Sequence, residues 1–154
     1  MGYGYGIWFA IKNISHICCI PHITLMCNMT LNEAHKLYNI LRYTKYNKCV
    51  AKRIGSVVQF PSSYANDDKE LIAHGYYVSI DEWDELSSKV NDNFIGSISH
   101  KPHLTTLYRE RDSPQPLTPP KDNTTDNKEL SFECNIVLAD ICSSNPTEWK
   151  ILKN

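Results

Sequence analysis

Two histidines in this chain each stand two residues before a threonine, His22 with Thr24 in PHITL and His103 with Thr105 in PHLTT. Side chains at i and i+2 of a β-strand point to one face, so each segment presents an imidazole beside a hydroxyl. An unperturbed imidazole titrates near pH 6.5 (about 6.5), so two facing imidazoles can divide acid and base work, one neutral and one protonated. Phosphodiester cleavage needs that division. One histidine removes a proton from water or a ribose hydroxyl, the other protonates the departing oxygen, and the threonine hydroxyls donate to the non-bridging phosphate oxygens. No metal and no cofactor is required. Each motif follows a proline, lies in an apolar run of strand length and belongs to its own half of the chain.

The remaining sequence supplies elements to hold them. GYGIWFAI, from Gly4 to Ile11, reads as a first strand, and IPHITLMC, from Ile20 to Cys27, as a second. Thr30-Leu31-Asn32-Glu33 has the capping-box form, and Leu31, Ala34, Leu37, Tyr38 and Leu41 share one face, predicting a helix from about Leu31 to Tyr43. Cys49 to Phe60 is β-rich, Ser62 to Lys69 reads as a loop, and Leu71 to Ser79 as another strand. Ser79-Ile80-Asp81-Glu82 repeats the capping-box pattern before Trp83, Leu86 and Val90, which predicts a second helix beginning there. Lys101 to Tyr108 carries the second motif on a strand, and Leu130 to Cys142 and Glu148 to Leu152 close the chain as strands. Arg111 to Lys128 holds four of the eight prolines and almost nothing that could pack, so a long mobile loop is expected at 111–128.

The paired His-x-Thr motifs, His22/Thr24 and His103/Thr105, resemble those of the 2H phosphoesterases, the LigT-like superfamily. The resemblance spans nearly the whole chain in the order of its elements and departs from the usual pattern in the short lead before the first motif and the proline-rich insertion after Arg109. It implies an α+β fold of two lobes, with pseudo-twofold antiparallel sheets around a central cleft and helices outside. It also implies in-line attack at phosphorus, with His22 and His103 as base and acid in an order left open. Family members open 2′,3′-cyclic phosphates on RNA ends, 2′-5′ oligoadenylates, or cyclic nucleotide immune messengers. The small size and the Asn-, Ile-, Lys- and Tyr-rich composition look like compact viral members, so a messenger such as cyclic GMP-AMP is the favoured substrate.

Other residues are weighed against that site. Tyr5, Trp8, Tyr108 and Trp149 are candidates to stack on bases, worth about 1–3 kcal/mol per base where it occurs, although core packing is the commoner fate of a tryptophan. Lys101, two residues before His103, shares its face and could meet phosphate, and Arg109 could clamp phosphate bidentately. His16, His35, His74 and His100 lack the threonine companion and are assigned to surface or structure. The acidic run Asp81, Glu82, Asp84 and Glu85 suits the positive end of a helix better than a metal.

With 154 residues, 42% of them hydrophobic and 21% charged, the chain is expected to form one domain over 1–154 with its own core. Sixteen basic and 17 acidic side chains nearly cancel, which argues against a grip on duplex nucleic acid. Six cysteines occur without a C-x-x-C pair, so reduced thiols in a cytoplasmic protein are expected, in the host cytoplasm if the source is a virus. The apolar stretch from Ile7 to Met29 is interrupted by Lys12, Asn13, His16 and His22, and neither a signal peptide nor a membrane partner is expected. The expected partner is a cyclic dinucleotide or short oligonucleotide, bound by a monomer or weak oligomer. A protein that sequesters a nucleotide without cutting it is the alternative of another class.

Overall fold

The structure is a computed structural model that describes residues 3–12, 20–60, 65–66, 69–110 and 131–154, with the backbone alone at 65, 66, 69, 106, 107, 109 and 110. In chain order the elements are β1 (Tyr5–Ile11), β2 (His22–Met29), α1 (Leu31–Leu41), β3 (Lys48–Phe60), β4 (Ala65–Asn66), β5 (Lys69–Ile80), α2 (Trp83–Asn93), β6 (Ser97–Ile98), β7 (His103–Glu110), β8 (Ser131–Asp140) and β9 (Lys150–Lys153). The expected loop at 111–128 lies outside the described residues, as do Cys18 and Cys19.

Local chemistry explains the helices. Thr30 is extended and its hydroxyl accepts from the Glu33 amide at 3.2 Å, so the first capping box forms as its sequence predicts. Ala34, Leu37, Tyr38 and Leu41 are buried, whereas Leu31, expected on the same face, stays 39% exposed at the free first turn. The helix stops at Leu41 rather than Tyr43 because the Thr44 hydroxyl and amide both donate to the Leu41 carbonyl and turn the chain. The second capping box does not form. Ser79 remains in β5, paired with Lys52 of β3, and α2 begins only at Trp83, after Glu82 at φ 64° with no capping side chain. Ladder pairing and burial of Ile80 outweigh the local cap, and the Glu82 carboxylate instead meets Lys45 and the Tyr46 hydroxyl. Trp83, Leu86 and Val90 form the expected buried stripe.

The strands form an α+β fold dominated by one antiparallel sheet with two helices. The order β1-β2-β7-β5-β3-β8-β9 is joined by a further β1–β8 pairing, so β1, β2, β7, β5, β3 and β8 close into a hydrogen-bonded ring. Within the segment expected to be a loop, β4 pairs with the start of β5, and the short β6 pairs with the end of β2. The seam between β2 and β7 is narrow, a single registered pair, Ile23 with Leu104.

Alternating side chains sort into two apolar clusters. One joins both helices to Ile7, Phe9, Ile23, Leu25, Val78, Leu104 and alternate residues of β8. The other contains no helix residue and gathers Trp8, Ala10, Phe60, Ala73, Tyr108, Val137 and Trp149 on the opposite face. Cys49 and Cys134 face one another across β3 and β8 as free thiols. Their hydrogen bond pushes the Cys49 thiol up and holds Cys134 down. No helix among the described residues is long and apolar enough to cross a membrane.

Candidate functional site

The narrow seam is where the two motifs meet. The antiparallel pairing of Ile23 with Leu104 brings the His22–Thr24 and His103–Thr105 segments alongside one another. Ile23, Leu25 and Leu104 fill the helix-side core, so the two histidines and two threonines share the other face. Each imidazole therefore shares a face with its own threonine, and His103 is near enough to His22 to repel its charged form. All four residues are half-buried.

The preceding prolines constrain this geometry. Proline fixes its own φ and biases the residue before it toward an extended conformation, which narrows the positions open to the carbonyl two residues before each histidine. His22 Nδ1 lies 2.7 Å from the Ile20 carbonyl oxygen, and His103 Nδ1 lies 3.4 Å from that of Lys101. A carbonyl only accepts, so Nδ1 carries the hydrogen and the neutral ring keeps its lone pair on Nε2. The prolines' own carbonyls continue the ladders on both sides, accepting from the Ile11 amide at 3.0 Å and the Val78 amide at 3.1 Å. The same arrangement is thus built twice, once on β1–β2 and once on β5–β7.

What lies around the two rings differs. His22 stacks flat on Trp8, with centroids 3.7 Å apart and planes 11° from parallel, and meets the edge of Trp149 at 5.8 Å. Trp149 in turn touches Trp8 and Tyr108, and its Nε1 donates to the Ser143 carbonyl at 2.8 Å, which pins the C-terminal turn against this wall. His103 instead rests on Phe60 at 4.6 Å, and Phe60 packs edge-on to Tyr77, the residue opposite His103 on β5.

Desolvation follows the packing. Burial among the indoles holds His22 down at about 4, opposed by the Ile20 carbonyl and reinforced by repulsion from His103. Burial also lowers His103, against the pull of the Lys101 carbonyl, with no indole beneath it. His22 is the ring kept neutral, and His103 the one that holds a proton more readily. A folded-state pKa depressed below the ordinary histidine value of 6.5 adds stability above that value and loses it as pH falls. The protein is therefore expected to lose stability from His22 between about pH 6.5 and about pH 4. Thermal melts across that window, compared with His22→Gln, check this; an unchanged difference between the two proteins across the window would contradict it.

The four residues of the paired motifs come together, and so does Lys101, whose Nζ lies 4.1 Å above the Tyr77 ring beside His103. The aromatic candidates are placed differently from a stacking platform. Trp8 is fully buried with its upper face covered by His22, and Tyr108 and Trp149 are buried as well, so these rings wall the imidazole rather than wait for a base. Tyr5 packs against the helix-side cluster, on the opposite face from Trp8. The Arg109 backbone belongs to β7, and its side chain lies outside the described residues. Phe60 and Tyr77, which support His103, were not singled out from the sequence. A tyrosine three residues from a strand end and a phenylalanine before a proline carry no local signal; only the β3–β5–β7 register brings them to the site.

His74 is buried on β5, in keeping with a structural role. Asp84 and Glu85 lie in the first turn of α2, where the helix dipole favours them. Among the described residues no three His, Cys, Asp or Glu side chains converge as a metal site would require. No family model, no curated protein and no solved structure matches the chain.

Proposed function

We propose that this chain is a metal-independent phosphodiesterase of the two-histidine, 2H phosphoesterase kind, acting on cyclic or 2′-5′-linked nucleotides. The observation that carries the reading is the meeting of the two His-x-Thr motifs on either side of the Ile23–Leu104 pair, with each imidazole's Nδ1 facing a carbonyl and its Nε2 left for proton transfer.

In this reading His22, neutral on its indole bed, is the general base. Its Nε2 takes the proton from a ribose hydroxyl or water as that oxygen attacks phosphorus. His103, with the weaker desolvation, is the general acid and gives its Nε2 proton to the departing oxygen on the far side. Thr24 and Thr105 donate to the non-bridging oxygens as charge gathers there, and Lys101 adds a cation beside the acid. Where a ribose hydroxyl attacks, the product is a cyclic phosphate, and its hydrolysis runs with the two histidines exchanging roles. The favoured substrate is a messenger of the cyclic GMP-AMP type, whose removal would serve viral immune evasion. RNA ends with a 2′,3′-cyclic phosphate and 2′-5′ oligoadenylates use the same chemistry.

Product chromatography on these three substrates in excess chelator tests the reading, with cleavage of at least one of them at an undiminished rate as the expected result. The pH dependence of kcat/KM gives a second check, because it reports the free protein's base and acid. It should rise through about pH 4 as His22 loses its proton and fall below pH 6.5 as His103 loses its own. A profile still climbing at about pH 8 would contradict this division of labour.

A further inference from the structure

A second cluster of charge and aromatic surface lies away from the histidines, where the end of β1, the start of β3, β8 and the C-terminus of α1 meet. A pocket of about 250 Å³ there is lined by Lys12, Arg42, Tyr43, Asn47, Lys48 and Asn135, among others, and by no acidic side chain. Neither His22 nor His103 lines it. Its three cations are exposed, and none makes an ion pair among the described residues. Asn154, the last residue of the sequence, also lines this pocket and Glu133 lines the adjoining concavity with Lys12 and Lys48, but three cations that form no ion pair among the described residues leave the local balance positive.

The geometry gives that charge a shape. The Arg42 guanidinium lies 5.0 Å from the centroid of Tyr43 and 5.6 Å from that of Tyr38, a position that limits its rotation and suits it to a two-pronged contact with an oxyanion. Tyr43 is 80% exposed, a flat ring at the rim with a face available for stacking. Asn47 and Asn135 are half-buried in the lining and offer amide donors and acceptors for a sugar or a base edge. Lys48 pairs with Asn135 in the β3–β8 ladder, so this side of the pocket is anchored on the sheet, and Lys12 is tied to the same strand through its amide to the Glu133 carbonyl at 2.9 Å.

We propose that this pocket is a second binding site, for a nucleoside phosphate, with Lys12, Arg42 and Lys48 on the phosphate and Tyr43 stacked on the base. The inference does not depend on the histidines being catalytic. Stacking on an exposed tyrosine favours a base over a bare anion, and the cations favour a phosphate over a bare nucleoside. Binding should therefore weaken as salt is raised.

The test is a titration of the isotope-labelled full chain with adenosine 5′-monophosphate, adenosine and inorganic phosphate, followed by amide chemical shifts. The monophosphate is expected to saturate, with shifts centred on Asn47, Lys48 and Asn135, and to bind about tenfold tighter than either adenosine or phosphate, as expected when stacking and charge act together. Arg42→Gln and, on a separate segment, Lys12→Gln should each weaken it several-fold, and Tyr43→Ala should bring it down to the affinity of phosphate. Shifts confined to the neighbourhood of His22 and His103 would overturn the proposal. So would the absence of saturation at about 10 mM, or unchanged affinity in both charge variants.

Discussion

His22→Ala and His103→Ala are each expected to lower phosphodiester turnover by about 10²- to 10⁴-fold, the usual range for removing a positioned acid or base. Neither imidazole belongs to the apolar clusters, so both variants should fold, and His22→Ala removes a ring whose charged form the indoles disfavour. The two losses should differ in kind. A substrate whose bridging oxygen on the leaving side is replaced by sulfur departs without needing a proton, so it makes the general acid dispensable. With that substrate His103→Ala should recover most of its activity and His22→Ala should not. The same rescue in both variants would contradict the assignment, and rescue of His22→Ala alone would reverse it. The physical basis is the packing contrast: a flat stack on Trp8 at 3.7 Å under one ring, and a tilted Phe60 at 4.6 Å under the other.

Gly75→Ala is expected to be the most damaging single methyl that can be added near the site. Gly75 lies opposite Thr105 on β5, and a Cβ there would stand 1.9 Å from the Leu104 carbonyl oxygen and 2.9 Å from the Thr105 Cα. These are backbone atoms, held by pairing of β7 to β5 on one side and to β2 on the other, so no side chain can swing away to make room. The strands must part where β7 carries His103 and Thr105. Overpacking of this kind costs about 3 kcal/mol or more, and the displaced motif should take turnover down with stability. Gly55→Ala is the contrasting variant: its Cβ would meet nothing, and only the φ of 72° opposes it, at about 1 kcal/mol. Denaturation midpoints of the two variants decide the matter. Equal midpoints would contradict the close approach of β5 to β7.

Much of this arrangement was legible because it is local. The His-x-Thr spacing fixes that imidazole and hydroxyl share a face, the prolines restrict the carbonyls that face Nδ1, and the Thr30 cap needs only its own next three residues. Where a local signal competed with a ladder, the ladder prevailed. Ser79 has as good a capping sequence as Thr30, yet its strand continues to Ile80 because β3 pairs with it. The rings around the histidines were the least legible part. Trp8, Tyr108 and Trp149, candidates to stack on a base, are instead buried under and around His22, because β1, β2 and the turn after β8 converge there, and Phe60 and Tyr77 reach His103 only through long-range register. The asymmetry between the two half-sites, on which the proposed division of base and acid rests, is thus a property of the assembled sheet and not of either motif.

The central claim is that the two paired motifs cut a phosphodiester without a metal. The measurement that bears on it most directly is the product profile of purified wild-type protein with 2′,3′-cyclic GMP-AMP in excess chelator at mildly acidic pH, beside the His22→Ala and His103→Ala variants. The account predicts a linear dinucleotide or its fragments from the wild type, at a rate the chelator does not change, and intact substrate from both variants. Turnover that disappears with chelator, or that survives in the two variants at the wild-type rate, would contradict it.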